Sequence, residues 1–408
     1  MPSSVALVWD QALAAYELSP EHPLKPVRLV LAVELMRAYG LLEERAASRP
    51  SSEDPRVAAP AAERAALIRP RPATDDELLL VHSAEYIDAV KRASADPRAF
   101  VPSNGLGTAD NPVFEGMHEV SALIVGGGIE GIAAVLDGRR RRTFNIAGGL
   151  HHAQRDRASG FCVYNDPAVA IAWALRENPD ARVAYVDIDA HHGDGVQNAF
   201  YDTDRVLTLS VHESGQYLFP GTGFVSDIGT GAGEGFAMNV PMPPLAGDGC
   251  YHEVLERVIA PALRAYRPDI LVAQCGCDNH HDDPLTHLAL TLPGYRTLVH
   301  DLFALADDVC DGRIAACGGG GYGVYRTVPR AWTYVLAELL GEMLPEELPE
   351  AWRAQDSAAS GAEAPRLLTA DDEFELSEPR EAKVTAETDG VIAGLLETHP
   401  LLKSATRV

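Results

Sequence analysis

The stretch VAYVDIDAHHGDG (183–195) begins as a strand buried on both faces and ends in Asp187, Asp189, His191, His192 and Asp194. A lone buried charge is costly or is neutralised by a pKa shift. Five ionisable groups closing an apolar run therefore need a cation, or one another. The pattern recurs: TFNIAGG (143–149) runs into His151 and His152, DILVAQCG (269–276) into Asp278, and RIAACGGGG (313–321) into Tyr322. VALVW (5–9) and RVLTLSVH (205–212) are further apolar runs of strand length. Helical patterns lie between them. PVRLVLAVELMRAYGLL (26–42) has Pro26 suited to a first turn, and TDDELLLVHSAEYIDAVKRA (74–93) opens on the capping pair Thr74 and Glu77. EVSALIVGGGIEGIAAVLDG (119–138) and DPAVAIAWALREN (166–178) complete the set. Strands alternating with helices predict an α/β fold, a mostly parallel sheet between two helical layers. Ligands bind such a sheet beyond the carboxyl ends of its strands, where all four polar groups fall.

Residues 46–64 are rich in Pro, Ser and Ala and read as a surface excursion, and SNGLGTADNP (103–112) reads as a loop. Past residue 343 large apolar residues thin out. The expectation is one domain over 1–343, with 344–408 an irregular extension packed on it and a last helix near 386–397. The net charge of -25 argues against nucleic-acid binding, which rests on clustered Lys and Arg, and favours solubility with a weak pull on cationic partners. The six cysteines form no CxxC pair and read as reduced, buried thiols. The N-terminus shows no signal-peptide pattern, and no apolar run is read as reaching the ~20 residues of a membrane span. The expected location is the cytoplasm, away from membranes.

On an extended strand residues i and i+2 share a face, so Asp187, Asp189 and His191 are expected to project together. Asp189 and His191, joined by Asp278 from a neighbouring strand, would give three ligands and an open position, the layout of a catalytic metal site. Zn²⁺ is the first candidate and Fe²⁺ also suits the donor set.

These motifs resemble those of the arginase-like deacetylases, meaning the class I histone deacetylases and their bacterial relatives, and among them the acetoin-utilization branch. HPLKPVRLVLAVELMRAYGLL (22–42), GLGTADNPVFEGMHE (105–119), GGLHHAQRDRASGFCVYND (148–166), DIDAHHGDGVQNAFY (187–201), TLSVHE (208–213), FPGTG (219–223), GCDNHHDDPLTHLALT (276–291) and GGGGY (318–322) follow the family order. The resemblance implies an arginase/deacetylase fold of about eight strands and hydrolysis of N-ε-acetyl-lysine. It implies Asp189, His191 and Asp278 as metal ligands and His151 and His152 as the acid–base pair, oriented by Asp187 and Asp194. Tyr322 is implied as the residue that polarises the carbonyl. Phe161, Phe219, Gly160 and Gly320 would line the substrate channel, Asp110 would bind substrate backbone at the rim, and Arg28 would lie in an inner cavity. A potassium site is implied at Asp187 and Ser210 with carbonyls of Asp189, His191 and Val211, and a second monovalent site at Phe200, Thr203 and Val206. The implied substrate is an acetylated protein, with acetyl-CoA synthetase the implied one; the oligomeric state stays open.

Binuclear hydrolases of the arginase type read Asp-x-His-x-Asp along this strand. Here Gly193 and His280 stand where they have aspartates, so one metal is expected. His280 is read as a rim histidine, with substrate contact as its alternative. An acetylpolyamine amidohydrolase and a non-catalytic acetyl-lysine-binding protein remain the other readings.

Overall fold

The computed structural model describes residues 4–43 and 64–405. The excursion expected at 46–64 lies outside them but for Arg64. Eight strands form one sheet: β1 (Val5–Val8), β2 (Ala66–Ile68), β3 (Arg142–Asn145), β4 (Val183–Asp187), β5 (Val206–Glu213), β6 (Ala237–Met242), β7 (Ile270–Gln274) and β8 (Ile314–Cys317). Their order is β2-β1-β3-β8-β7-β4-β5-β6, and every pairing is parallel. β4, β5 and β7 are buried at every position, as parallel strands covered by helices on both faces are.

The order determines where chemistry can happen. The chain lays β4, β5 and β6 outward from a gap beside β3, then returns to fill that gap with β7 and β8. The four strands that end in polar clusters, β3, β8, β7 and β4, are therefore consecutive neighbours. Their carboxyl ends form one floor, at the reversal of strand order where such sheets bind ligands.

Three expectations need correction. The 74–93 pattern is two helices, Asp75–Leu78 and Ala84–Ala95. Met117–Leu136 is long and apolar enough, by length and composition, to span a membrane. It is instead a core helix, mostly buried and packed on β3, β8 and the helix Asp166–Glu177. The region past 343 is less irregular than its composition suggests: it carries helices Glu350–Ser360, Glu378–Thr398 and Pro400–Ala405. All six cysteines are buried and free.

Candidate active site

β4 ends at Asp187, and beyond it the chain curls by side-chain turns. Asp187 Oδ1 accepts the amide of Asp189 (3.1 Å), and Asp189 Oδ1 accepts that of His191 (3.0 Å). An aspartate bonding the amide two residues on is a turn device of its own. It turns Asp187 away from the group it was expected to join. Asp187 instead faces His151, with Oδ2 at 2.7 Å from Nδ1, and accepts the Tyr185 hydroxyl on the same oxygen (2.7 Å).

Asp189 and His191 meet Asp278, delivered by the loop after β7. His191 Nδ1 lies 2.8 Å from Asp278 Oδ2 and 3.2 Å from Asp189 Oδ1, and all three donor atoms fall within 4.8 Å of one another. Burial and the Asp189 charge push Asp278 up to about 6. Burial disfavours a charged His191, yet Asp278 and Asp189 outweigh it and raise the imidazole to about 10. A pocket that draws positive charge this strongly, and supplies two carboxylate oxygens and one imidazole nitrogen, fits a divalent cation with one position left open. Gln274, level with Asp187 in the sheet, donates to Asp189 Oδ2 (2.8 Å), as does the amide of Gly320 (2.6 Å). A Cβ on Gly320 would stand 2.0 Å from Asp278 Oδ2, so only glycine brings the backbone this close.

The tandem histidines follow β3. His152 Nδ1 bonds Asp194 Oδ1 (2.8 Å), and the two Nε2 atoms face each other at 3.0 Å. One proton must lie between them. Burial lowers His152 to about 4, helped by the neighbouring His151 charge. His151 is also buried, but Asp187 and Asp189 raise it to about 9. One assignment satisfies the geometry and both shifts: a doubly protonated His151 donates from Nε2 to a neutral His152 whose remaining proton sits on Nδ1. Gln154 holds the other oxygen of Asp194 (2.8 Å), and Asp166 accepts the amides of Gly149 and Leu150 (3.1 and 2.8 Å), fixing the turn before the pair.

A cavity of about 20 Å³, room for one or two water-sized groups, lies among His151, His152, Gly160, Phe161, Asp189, His191, Gly320 and Tyr322. Phe219 sets its ring edge on His152 (5.0 Å) and is 44% exposed, while Phe161 meets Tyr322 edge-on (5.8 Å). A Cβ on Gly160 would meet both the His152 ring (2.5 Å) and Phe219 (2.8 Å). Exposed Asp110 reaches this wall through its carbonyl, 3.3 Å from His22 Nε2, and the His22 ring lies 4.3 Å from Phe161. Arg28 is buried below, donating to Gly321 O (2.7 Å) over the Trp332 ring. Burial and the carboxylates of Asp278 and Asp189 push the Tyr322 phenol well above its usual range, so it stays protonated. A wider cleft of about 790 Å³ between the 214–228 loop and the helix Glu378–Thr398 gathers no comparable donor set.

His280 is not at the rim. It is buried, and Nε2 bonds Asp372 of the C-terminal extension (2.8 Å); His281 Nε2 reaches the other Asp372 oxygen (3.2 Å). These three also cluster like metal ligands. His280 Nδ1 accepts the Asp282 amide (3.1 Å), however, so its proton sits on Nε2 and faces Asp372, which leaves no lone pair there for a metal. His192 turns away to Thr222 (2.8 Å) and Gln197 (3.2 Å). Ser210 pairs with Asp187 in register across β4 and β5, while Phe200, Thr203 and Val206 lie together in the turn entering β5.

Sequence reasoning missed Tyr185, Gln274, Gln154 and Asp166, whose bonds brace the named residues. Tyr185 had a visible signal, two residues before Asp187 on the same strand face. The others act on partners far away in sequence.

Residues 22–339 match the model of the histone deacetylase domain. The chain is 39% identical over 347 residues to the acetoin utilization protein AcuC of Bacillus subtilis (strain 168), covering 85% of this chain and 84% of that one. It is 35% identical to the AcuC protein of Staphylococcus xylosus, over 94% and 95% of the two chains. A solved histone deacetylase homologue from Aquifex aeolicus superposes with a TM-score of 0.79 at 31% identity, covering 95% of this chain and all of that one. By the domain it carries and the fold it shares, the chain belongs to the histone deacetylase family, hydrolases acting on linear amides.

Proposed function

We propose that the chain is a metal-dependent lysine deacetylase that removes the acetyl group from N-ε-acetyl-lysine on proteins. The observation that carries this reading is one narrow cavity lined by Asp189 and His191, which cluster with Asp278, and by two histidines in opposite protonation states. Held by that trio, a zinc or ferrous ion would polarise the amide carbonyl and make a water acidic. The remaining work falls to side chains. His152, its Nδ1 proton committed to Asp194, takes a proton from water at Nε2 once water displaces the His151 hydrogen bond that this nitrogen accepts in the resting site. The imidazolium then protonates the departing lysine amine, with Asp187 and Asp194 fixing ring orientation. Tyr322 donates its phenolic hydrogen to the developing oxyanion. Phe161 and Phe219 flank the lysine methylenes, Gly160 keeps the channel open, and Asp110 accepts hydrogen bonds from the substrate backbone.

Potassium held by Asp187, Ser210 and the carbonyls of Asp189, His191 and Val211, with a second monovalent ion at Phe200, Thr203 and Val206, would brace β4 and β5. The names of the relatives support a place in acetoin utilization; acetyl-CoA synthetase as the acetylated protein, a link to acetate metabolism and the cytoplasm as the location extend this reading beyond those names. A net charge of -25 favours a second reading, an acetylpolyamine amidohydrolase using the same residues on a free cation.

One experiment separates them. Metal-stripped protein is reloaded with Zn²⁺, Fe²⁺ or Mn²⁺ and assayed on acetyl-lysine peptides and acetylspermidine. The expected result is activity restored at one ion per chain, with peptides preferred. Preference for acetylspermidine would transfer the function to small amines. No restored activity on either substrate would overturn both readings.

A further inference from the structure

Tyr322 follows four glycines, Gly318–Gly321, which have no side chains to wedge the chain in place. The backbone of this run is pinned instead, at every second amide. Gly318 donates to Asn145 O (3.1 Å), Gly320 to Asp189 Oδ2 (2.6 Å) and Tyr322 to Asp283 Oδ2 (2.7 Å). On the other edge Cys277 donates to Gly320 O (2.9 Å) and Arg28 to Gly321 O (2.7 Å). The first two amide ties place glycines, and the third places the tyrosine itself. Asp283 suits this task. It is 7% exposed and accepts the Leu285 amide on its other oxygen (3.0 Å). One oxygen anchors the carboxylate to its own loop, and the other holds Tyr322. That loop also carries Asp278, five residues earlier, so the metal ligand and the tyrosine are referenced to one rigid segment.

We propose that Asp283 is a positioning residue whose carboxylate fixes the Tyr322 backbone so that the phenol reaches the substrate carbonyl. The inference rests on the proposed role of Tyr322. A phenolic oxygen lies far from its own Cα, so a small rotation of a freed backbone moves it a long way. Misplacement by about 1 Å is enough to cost a catalytic group ~10²-fold.

The test is a double-mutant cycle on the metal-loaded full chain, with Asp283→Ala and Tyr322→Phe read by steady-state kinetics on an acetyl-lysine peptide, bound metal and thermal melting. Tyr322→Phe is expected to lower kcat ~10²-fold and keep the metal. Asp283→Ala is expected to lower kcat by about 10-fold or more with little change in KM or metal content. In the Tyr322→Phe background the same Asp283→Ala change should cost less than about 2-fold, because the group it positions is gone. Equal losses in both backgrounds, or loss of the metal from Asp283→Ala, would overturn the inference and leave the proposed function standing. An unchanged rate in Tyr322→Phe would overturn the role of Tyr322 and this inference with it. Should the alanine variant not fold, Asp283→Asn, which keeps the shape but offers one acceptor oxygen to two amides, goes through the same cycle with the same outcomes.

Discussion

At the scale of single residues, the site is built by crowding polar atoms until glycine is the only residue that fits between them. Gly320 makes this testable. Its backbone does not occupy the left-handed region, so a side chain there meets no backbone strain, only Asp278 Oδ2 at 2.0 Å and Asp189 Oδ2 at 2.8 Å. Gly320→Ala is therefore expected to push the ligands apart and weaken divalent-metal affinity by ~10–100-fold, measured by competition with a chromophoric chelator. Gly390→Ala is the control. It lies exposed in the helix Glu378–Thr398 with nothing within 4 Å of its added Cβ, and should stabilise by about 0.5–1 kcal/mol and leave metal binding alone. A Gly320→Ala protein that binds metal like wild type would mean the ligands yield freely. Asp189, His191 and Asp278 were legible in the sequence because charged residues stand out at the ends of apolar runs. Asp283 and Gln274 were not. Asp283 holds the backbone amide of Tyr322 and Gln274 the carboxylate of Asp189 beyond the end of another strand, and no local spacing marks such partners.

At the scale of elements, local signals held where nothing distant competed with them. The Thr74–Glu77 capping box forms as the sequence predicts, with the Thr74 hydroxyl 3.3 Å from the Glu77 amide and Glu77 returning to the Thr74 amide (2.8 Å). The helix then stops at Leu78, and the His82 ring four residues on is bound to another segment. Buried and lowered to about 4, it is neutral, donating from Nδ1 to Gln154 O (3.0 Å) and accepting the Asn165 amide at Nε2 (3.0 Å), both on the segment that follows the tandem histidines. Ser83 caps a fresh helix immediately after. Six strands were legible from apolar runs, and the two that were not, β2 and β6, are the sheet edges. Edge strands are short or interrupted, here three residues in β2 and Pro241 within β6. The capping box also yields a pH prediction. A hydrogen-bonded ion pair with Arg71 lowers Glu77 from its ordinary 4.5 to about 2. A depressed carboxylate stabilises the fold above its unfolded pKa and loses that contribution as pH falls toward the folded value. Glu77→Gln should thus be less stable than wild type at pH 7, and the gap should close between about pH 4.5 and 2. Urea melts across that range check it, and a gap that stays constant would remove the ion pair as its cause.

At the scale of the whole molecule, composition misjudged the region after residue 343. Few large apolar residues occur there, but those present are placed where the domain lacks cover. Leu348, Trp352 and Leu368 form a small core with Leu35 and Tyr334. Trp352 is fully buried and donates from Nε1 to Leu31 O (2.8 Å) on the helix Val27–Ala38. Ile392, Leu395 and Leu402 join the main core, and His399 Nε2 donates to Ala237 O (2.9 Å), occupying a carbonyl of edge strand β6. Buried charge ties the region down as well: Asp371 pairs with Arg330 (3.0 Å), which is 3% exposed, and Asp372 holds His280, two residues from Asp278. Such anchors are long-range matches, which helical patterning cannot reveal. If the region completes the domain, its removal does more than shorten the chain. Trp352→Ala alone should cost about 3–5 kcal/mol, a large share of the ~5–15 kcal/mol that holds a typical domain together. Ending the chain at residue 343 should cost more, because it uncovers apolar surface on two helices and leaves Arg330 buried without its carboxylate. The expected outcome is a truncated protein that is insoluble or lacks a cooperative melt, beside a Trp352→Ala protein that folds with a clearly lowered Tm. A chain ending at 343 that melts cooperatively near the full-length Tm would instead show that the last sixty-five residues are an attachment to a domain already complete without them.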